Sequence, residues 1–119
     1  MYSAAFLEQY GNQRFRGPIE DATHRGHVGQ PDGGPYITIH LRVENGVIAQ
    51  VGFETYACAA TIACGSMVAT LAHEKRVAEA KKIRSEDVVE GLGGLPRSKM
   101  HCADRAVTAL RIALDTRVR

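Results

Sequence analysis

The chain has 119 residues, 45% of them hydrophobic and 24% charged, with twelve glycines and four prolines, which suits one folded domain and excludes a disordered or fibrous chain. Fifteen Lys and Arg against thirteen Asp and Glu give a net charge of +2, interleaved along the sequence, so no basic run argues for nucleic acid. The three cysteines form no disulfide framework by count, and residues 1–8 meet a carboxylate before any long apolar run; a cytoplasmic protein with no signal peptide and no membrane span is expected.

A short helix is predicted over residues 3–10, capped by Ser3, with Phe6, Leu7 and Tyr10 on one face and Gly11-Asn12 ending it. Residues 12–35 are irregular and Gly-rich, and carry His24, His27 and Pro31; a loop this long in a small domain is functional or mobile. Residues 36–43 then alternate strictly. Ile37, Ile39, Leu41 and Val43 share one face, while Thr38, His40 and Arg42 take the other, with His40 a solvated side chain. Asn45-Gly46 signals a hairpin, with the returning strand over residues 47–55. Residues directly opposite each other share a face, so the register can be argued. A two-residue loop would pair Val43 with Ile48 and Leu41 with Gln50, mixing the faces. A three-residue loop, Glu44-Asn45-Gly46, pairs Val43 with Val47, Leu41 with Ala49, Ile39 with Val51 and Ile37 with Phe53, and is expected.

A helix follows over residues 60–74, with Ile62, Cys64, Val68, Leu71 and Ala72 as a loose apolar stripe and His73 near its end, against the dipole. Gly65 weakens this helix by about 1 kcal/mol relative to Ala, which points to close packing. Helical pieces over residues 77–83 and 85–92 come next, the second with Glu86 and Asp87 in its first turn, and Gly93-Gly94-Leu95-Pro96 ends it. The last helix runs from residue 98 or 99 to 116, with Ala103, Val107, Leu110 and Leu114 inward. The order predicts one α+β domain over residues 1–119, a small antiparallel sheet with helices packed on one face. A hairpin alone is marginal, so a further strand is expected from the irregular segment.

Cys58 precedes a helix, and Cys102 lies in the first turn of the last one, directly after His101. Unpaired N–H groups at a helix start favour the thiolate, the form that binds soft metals and attacks sulfur. Adjacent residues diverge on a helix, so His101 is a poor base for Cys102. Cys64 reads as a core thiol. There is no Cys-x-x-Cys, His-Glu-x-x-His, phosphate loop or nucleophile elbow, and nothing else marks an enzyme.

Longer segments carry a resemblance. Phe53-Glu54-Thr55-Tyr56-Ala57-Cys58-Ala59-Ala60-Thr61-Ile62-Ala63 is similar to an F-x-T-Y-G-C-x-x-x-I-A run, and Gly94-Leu95-Pro96-Arg97-Ser98-Lys99-Met100-His101-Cys102 to an L-P-P-x-K-x-H-C run. Tyr2-Ser3 with Tyr10-Gly11-Asn12 resembles the opening Y-S…Y-x-N-P, and Gly29-Gln30-Pro31-Asp32-Gly33-Gly34-Pro35 a G-x-P-x-C-G-D loop. Together, in order and over nearly the whole chain, these resemble the NifU/IscU family of iron–sulfur cluster assembly scaffolds. The resemblance implies a non-enzymatic carrier that takes persulfide sulfur from a cysteine desulfurase, holds iron or a cluster, with [2Fe–2S] first and zinc the alternative, and passes it to acceptor proteins. It implies Cys58, His101 and Cys102 as cofactor and metal ligands and Cys102 as the persulfide acceptor, with Asp32 a further ligand candidate.

The departures matter as much. Gly33 stands in place of the family's first cysteine and Pro35 in place of its Asp. A two-iron cluster of four-coordinate irons takes four terminal ligands, and one chain offers three at most. A homodimer pooling Cys58 and Cys102, a contribution from Asp32, His24 or His27, or the recruitment of Cys64 would make up the set, in that order of preference. A zinc-binding sulfur acceptor and a non-assembling paralogue that docks a desulfurase are the rival expectations. Arg97 and Ser98 also depart from L-P-P-V-K, the segment an Hsp70-type chaperone recognises in part of the family, leaving that partner open.

Overall fold

The computed structural model describes residues 2–29 and 34–119. The elements follow in the order α1 (Ala4–Gly11), β1 (His24–Gly29), β2 (Tyr36–Glu44), β3 (Val47–Tyr56), α2 (Ala59–Ala72), α3 (Val77–Ala80), α4 (Ser85–Gly91), a 3-10 turn (Arg97–Lys99) and α5 (Met100–Asp115). The strands form one antiparallel sheet in the order β1-β2-β3. The expected third strand is β1, drawn from the irregular segment. The α+β architecture with helices on one face holds: α5 lies on β1 and β2, and α2 on β3 and β2. Among the described residues no helix is long and apolar enough to cross a membrane.

The hairpin departs from its expected register. Asn45 (φ 54°) and Gly46 (φ 76°) form a two-residue turn with both residues in the left-handed region, and Val43 pairs with Ile48. A bulge then shifts the ladder between Val43 and Arg42, so that Arg42 faces Gln50 and Ala49 is the extra residue. Beyond it Leu41 faces Val51, Ile39 faces Phe53 and Ile37 faces Thr55. One inserted residue returns the apolar sets to a common face, an option that a regular ladder does not offer.

Two close approaches seat the helices. A side chain at Gly26 on β1 would collide with the α5 backbone, 2.7 Å from the Ala109 carbonyl oxygen and 2.8 Å from Ala113 Cα. A side chain at Gly65 on α2 would meet Phe53 Cδ2 at 2.9 Å and Ile37 Cδ1 at 3.0 Å, the close packing its presence in a helix foretold. α2 carries no apolar stripe in the usual sense. Every residue from Ala60 to Ala69 except the half-buried Ile62 is buried, because the sheet, α1, α4 and α5 surround it. On α5 the inward set is as expected: Ala103, Val107, Leu110 and Leu114 are all buried.

His40 is not solvated. It is 4% exposed on the sheet face away from the helices. Arg25, directly across on β1, donates from Nε to His40 Nδ1 (3.0 Å), which places the ring proton on Nε2, where it is shared with Glu54 (2.6 Å). Residues 15–17 run along the edge of β3, where Gly17 donates to the Phe53 carbonyl (2.7 Å) and Phe53 to the Phe15 carbonyl (3.0 Å), and the chain then turns onto that face, with the Gly17 carbonyl and the Ile19 side chain against Gly52. Half-buried polar strand faces read as solvated only when nothing crosses them, and here the loop does.

Gly26→Ala is expected to lower stability by about 3 kcal/mol, because the new methyl meets backbone that cannot rotate away. Thermal or urea unfolding of the two proteins checks this, with Gly11→Ala, where a methyl meets nothing within 4 Å, expected to stay near the wild type.

Candidate functional site

Cys58 is the residue before α2 and adopts the extended conformation of a helix N-cap (φ −72°, ψ 168°), with sulfur where oxygen commonly sits. Three residues on, Thr61 occupies the first turn, so its side chain reaches back toward the cap. Cys102 lies in the first turn of α5, which the Arg97–Lys99 turn introduces. The starts of α2 and α5 face each other. The Thr61 hydroxyl donates to Cys102 Sγ (3.4 Å) and lies 3.7 Å from Cys58 Sγ. Two thiols from separate segments therefore meet at one buried hydroxyl. Lys99 Nζ is 3.9 Å from Cys58 Sγ, and His101 Nε2 is 3.6 Å from Cys102 Sγ.

The two thiols have opposite environments. Cys58 is exposed. Its partial burial pushes the thiol up, but the N–H groups of Thr61 and Ala60, the Thr61 hydroxyl and the Lys99 ammonium outweigh that and bring it down to about 7. Cys102 is 1% exposed, and burial pushes its thiol up, against the help of Thr61 and Lys99, with the charge of Cys58 adding to the rise. The expectation that a helix start lowers both thiols thus holds for Cys58 alone; for Cys102 desolvation exceeds the dipole. Cys64 is 0% exposed and pushed up to about 12 by burial, a core thiol out of reach of the site solvent.

His101 corrects another expectation. It precedes Cys102 directly, yet its ring folds back so that Nε2 reaches the sulfur, because the long imidazole arm on the exposed side of the first turn can swing toward its neighbour. His24 and His27 are on β1, where the His24 Nδ1 is 2.8 Å from the Thr23 hydroxyl. His73, the residue ending α2, stacks obliquely on Phe15. Asp32 and Gly33 lie outside the described residues. Among the described residues no three His, Cys, Asp or Glu side chains gather into a metal-binding group. The site is a thiol pair with one imidazole beside it.

Thr61 and Lys99 are site residues whose roles the sequence motifs do not mark. The spacing of Thr61 from Cys58, a cap residue and the third residue beyond it, is the signal that brings them together. Exposed apolar side chains flank the thiols in sequence, Tyr56 at 73% exposure before Cys58 and Met100 at 40% before His101.

The model of the NifU-like N terminal domain family matches residues 1–117. The iron-sulfur cluster assembly scaffold protein IscU 1 of Archaeoglobus fulgidus is 44% identical over 114 residues, covering 96% of this chain and 74% of that protein. The scaffold protein IscU of Aquifex aeolicus is 35% identical over 115 residues, covering 95% and 73% respectively. A crystal structure from Fervidobacterium islandicum, described as an iron–sulfur cluster assembly scaffold for the SUF system, shares the fold with a TM-score of 0.75 at 18% identity, over 95% of this chain and 96% of that one. With its helix-flanked hairpin, its paired thiols and a family match from residue 1 to residue 117, the chain belongs to the NifU-like N-terminal domain family.

Proposed function

We propose that this protein is an iron–sulfur cluster assembly scaffold, a carrier rather than an enzyme, which accepts persulfide sulfur on its site thiols and holds iron or a [2Fe–2S] cluster at Cys58 and Cys102 as cargo. The observation that carries this reading is the meeting of Cys58 and Cys102, from the starts of two helices, at the Thr61 hydroxyl. Relatives named as cluster assembly scaffolds support the role.

Thiolates are the preferred ligands of iron in such clusters. Cys58 is available as thiolate near neutral pH, and the Lys99 ammonium offsets negative charge that gathers there. His101 stands beside Cys102 as a nitrogen donor. A two-iron cluster takes four terminal ligands. Two protomers that each contribute Cys58 and Cys102 supply four thiolates, so the loaded species is a homodimer with the cluster between copies. Persulfide from a cysteine desulfurase ends on Cys102, and acceptor proteins draw the cluster away, in a cytoplasmic setting. Structural zinc takes four ligands and catalytic zinc three from the protein. Among the described residues Cys58, Cys102 and His101 do not gather into a metal-binding group, so the zinc-holding sulfur acceptor is the weaker reading.

Anaerobic reconstitution with ferrous iron and sulfide is expected to give a visible charge-transfer spectrum at one cluster per two chains, in a species that elutes as a dimer. Cys58→Ala and Cys102→Ala should abolish it, and Cys64→Ala should keep it. Stoichiometric zinc in the purified protein would favour the zinc reading instead. Absence of any metal would leave a non-assembling docking protein. Gly33→Cys, which restores a family ligand, is expected to slow cluster loss to a chelator. An unchanged rate would count against the ligand arrangement.

Thiol ionisation gives an independent prediction. Below its pKa a thiol is protonated and slow to alkylate, so the rate of Cys58 with iodoacetamide should rise with pH through about 7, earlier than an ordinary thiol. Lys99→Ala removes a charge that favours the thiolate and should move that midpoint upward. In native protein Cys64 and Cys102 should react far more slowly than Cys58, as peptide mass spectrometry can read.

A further inference from the structure

Thr61 is 5% exposed, and its hydroxyl is directed at two sulfurs. A threonine inside a helix commonly turns its hydroxyl back to the carbonyl four residues earlier. Thr70, further along α2, does so, donating to the Ser66 carbonyl at 2.9 Å. Thr61 precedes the first complete turn and has its hydroxyl on Cys58 and Cys102 instead. A hydroxyl has one hydrogen and two lone pairs, so it can donate to one sulfur while it accepts from the other. The two sulfurs differ in access: a donor protein or small persulfide can reach Cys58, whereas Cys102 is 1% exposed.

We propose that Thr61 is the positioning residue of a sulfur relay, in which a sulfane sulfur taken up on exposed Cys58 passes across the Thr61 contact to buried Cys102. This rests on the scaffold reading and adds to it the order of the two thiols and the residue that governs the transfer. In the step, Cys102 Sγ attacks the terminal sulfur of a Cys58 persulfide. A bond forms between Cys102 Sγ and that sulfur, the S–S bond at Cys58 breaks, and its electron pair returns to Cys58 Sγ. The Cys102 proton goes to His101 Nε2, 3.6 Å from that sulfur, while the Thr61 hydroxyl, which donates to Cys102 Sγ, holds the attacking sulfur in line and Cys58 leaves as a thiolate. One S–S bond is made and one broken, with no oxidant or reductant required. The Thr61 and Ala60 N–H groups and the Lys99 ammonium face the departing sulfur and hold its charge. Burial then shields the sulfur on Cys102 from solvent thiols.

A pulse of sodium tetrasulfide on the full chain, with excess removed and samples alkylated at intervals, lets peptide mass spectrometry follow persulfide on each cysteine. The label is expected first on Cys58 and then, as it leaves, on Cys102. Thr61→Val keeps the side-chain shape without the hydroxyl. Cys58 should load as before, and migration should slow by about tenfold, the worth of one hydrogen bond to a charged sulfur. Thr61→Ser should restore it, a rescue that a purely packing role does not predict. Circular dichroism melting checks each variant, and Thr61→Ala replaces Val if Val fails to fold. Wild-type migration in a folded hydroxyl-free variant overturns the role of Thr61. Label reaching Cys102 first, or at the wild-type rate in Cys58→Ser, overturns the order. If neither thiol takes label the relay falls. A working relay with no cluster on reconstitution would instead count against the scaffold reading alone.

Discussion

α5 meets β1 backbone to backbone and α2 presses its own backbone onto side chains of the sheet, and the site depends on those two contacts. Gly26 lets α5 lie against β1 where any side chain would strike Ala109 and Ala113, and Gly65 lets α2 settle onto Phe53 and Ile37. With both helices so close, little freedom is left to slide either along the sheet, because packed interiors deform poorly. Their starts are therefore held against each other, and the first-turn residues Thr61 and Cys102 meet with the cap residue Cys58. Chemistry at this end of the molecule is set by two missing side chains in its middle.

The same packing makes the two thiols unequal. α2 is enclosed on nearly all sides, but its cap residue stands just outside that enclosure, so Cys58 keeps solvent on one side and backbone N–H groups on the other. Cys102 enters with the first turn of α5 and is closed over. Helix starts supply a similar favourable field in both places; loss of water decides the difference. An exposed, readily ionised sulfur beside a buried, reluctant one is a directional arrangement, and Thr61 is the group that touches both.

Much of this was legible along the chain because it depends on local pattern. The alternation in residues 36–43, the Ser3 cap, the inward set of α5 and the cost of Gly65 in a helix each carry their meaning within a few residues. What escaped depends on partners distant in sequence. The hairpin register turned on a bulge at Ala49 that costs one residue of pairing and reconciles a two-residue turn with face-matched strands. His40 reads as solvated from its own strand, whereas Arg25 and Glu54 from the flanking strands close over it. The depth of Cys102 and the reach of His101 follow from how α5 is laid down, and neither its first turn nor its neighbours in sequence disclose that. The family resemblance pointed to Cys58 and Cys102 but carried no indication of Thr61, whose importance comes from where its hydroxyl is aimed.

Both borders of the sheet are occupied by the chain itself. Beside β3, residues 15–17 hydrogen-bond to Phe53, and Glu74 and Lys75 hydrogen-bond to Ile48; beside β1, the Arg25 N–H donates to the Thr116 carbonyl and the Val118 N–H to the Thr23 carbonyl. Strand addition, the route by which sheets recruit other chains into long-lived ladders, is thereby obstructed at these points. At these points association with another protein is left to side chains, and contacts of that sort can be made and released repeatedly without the fold being opened.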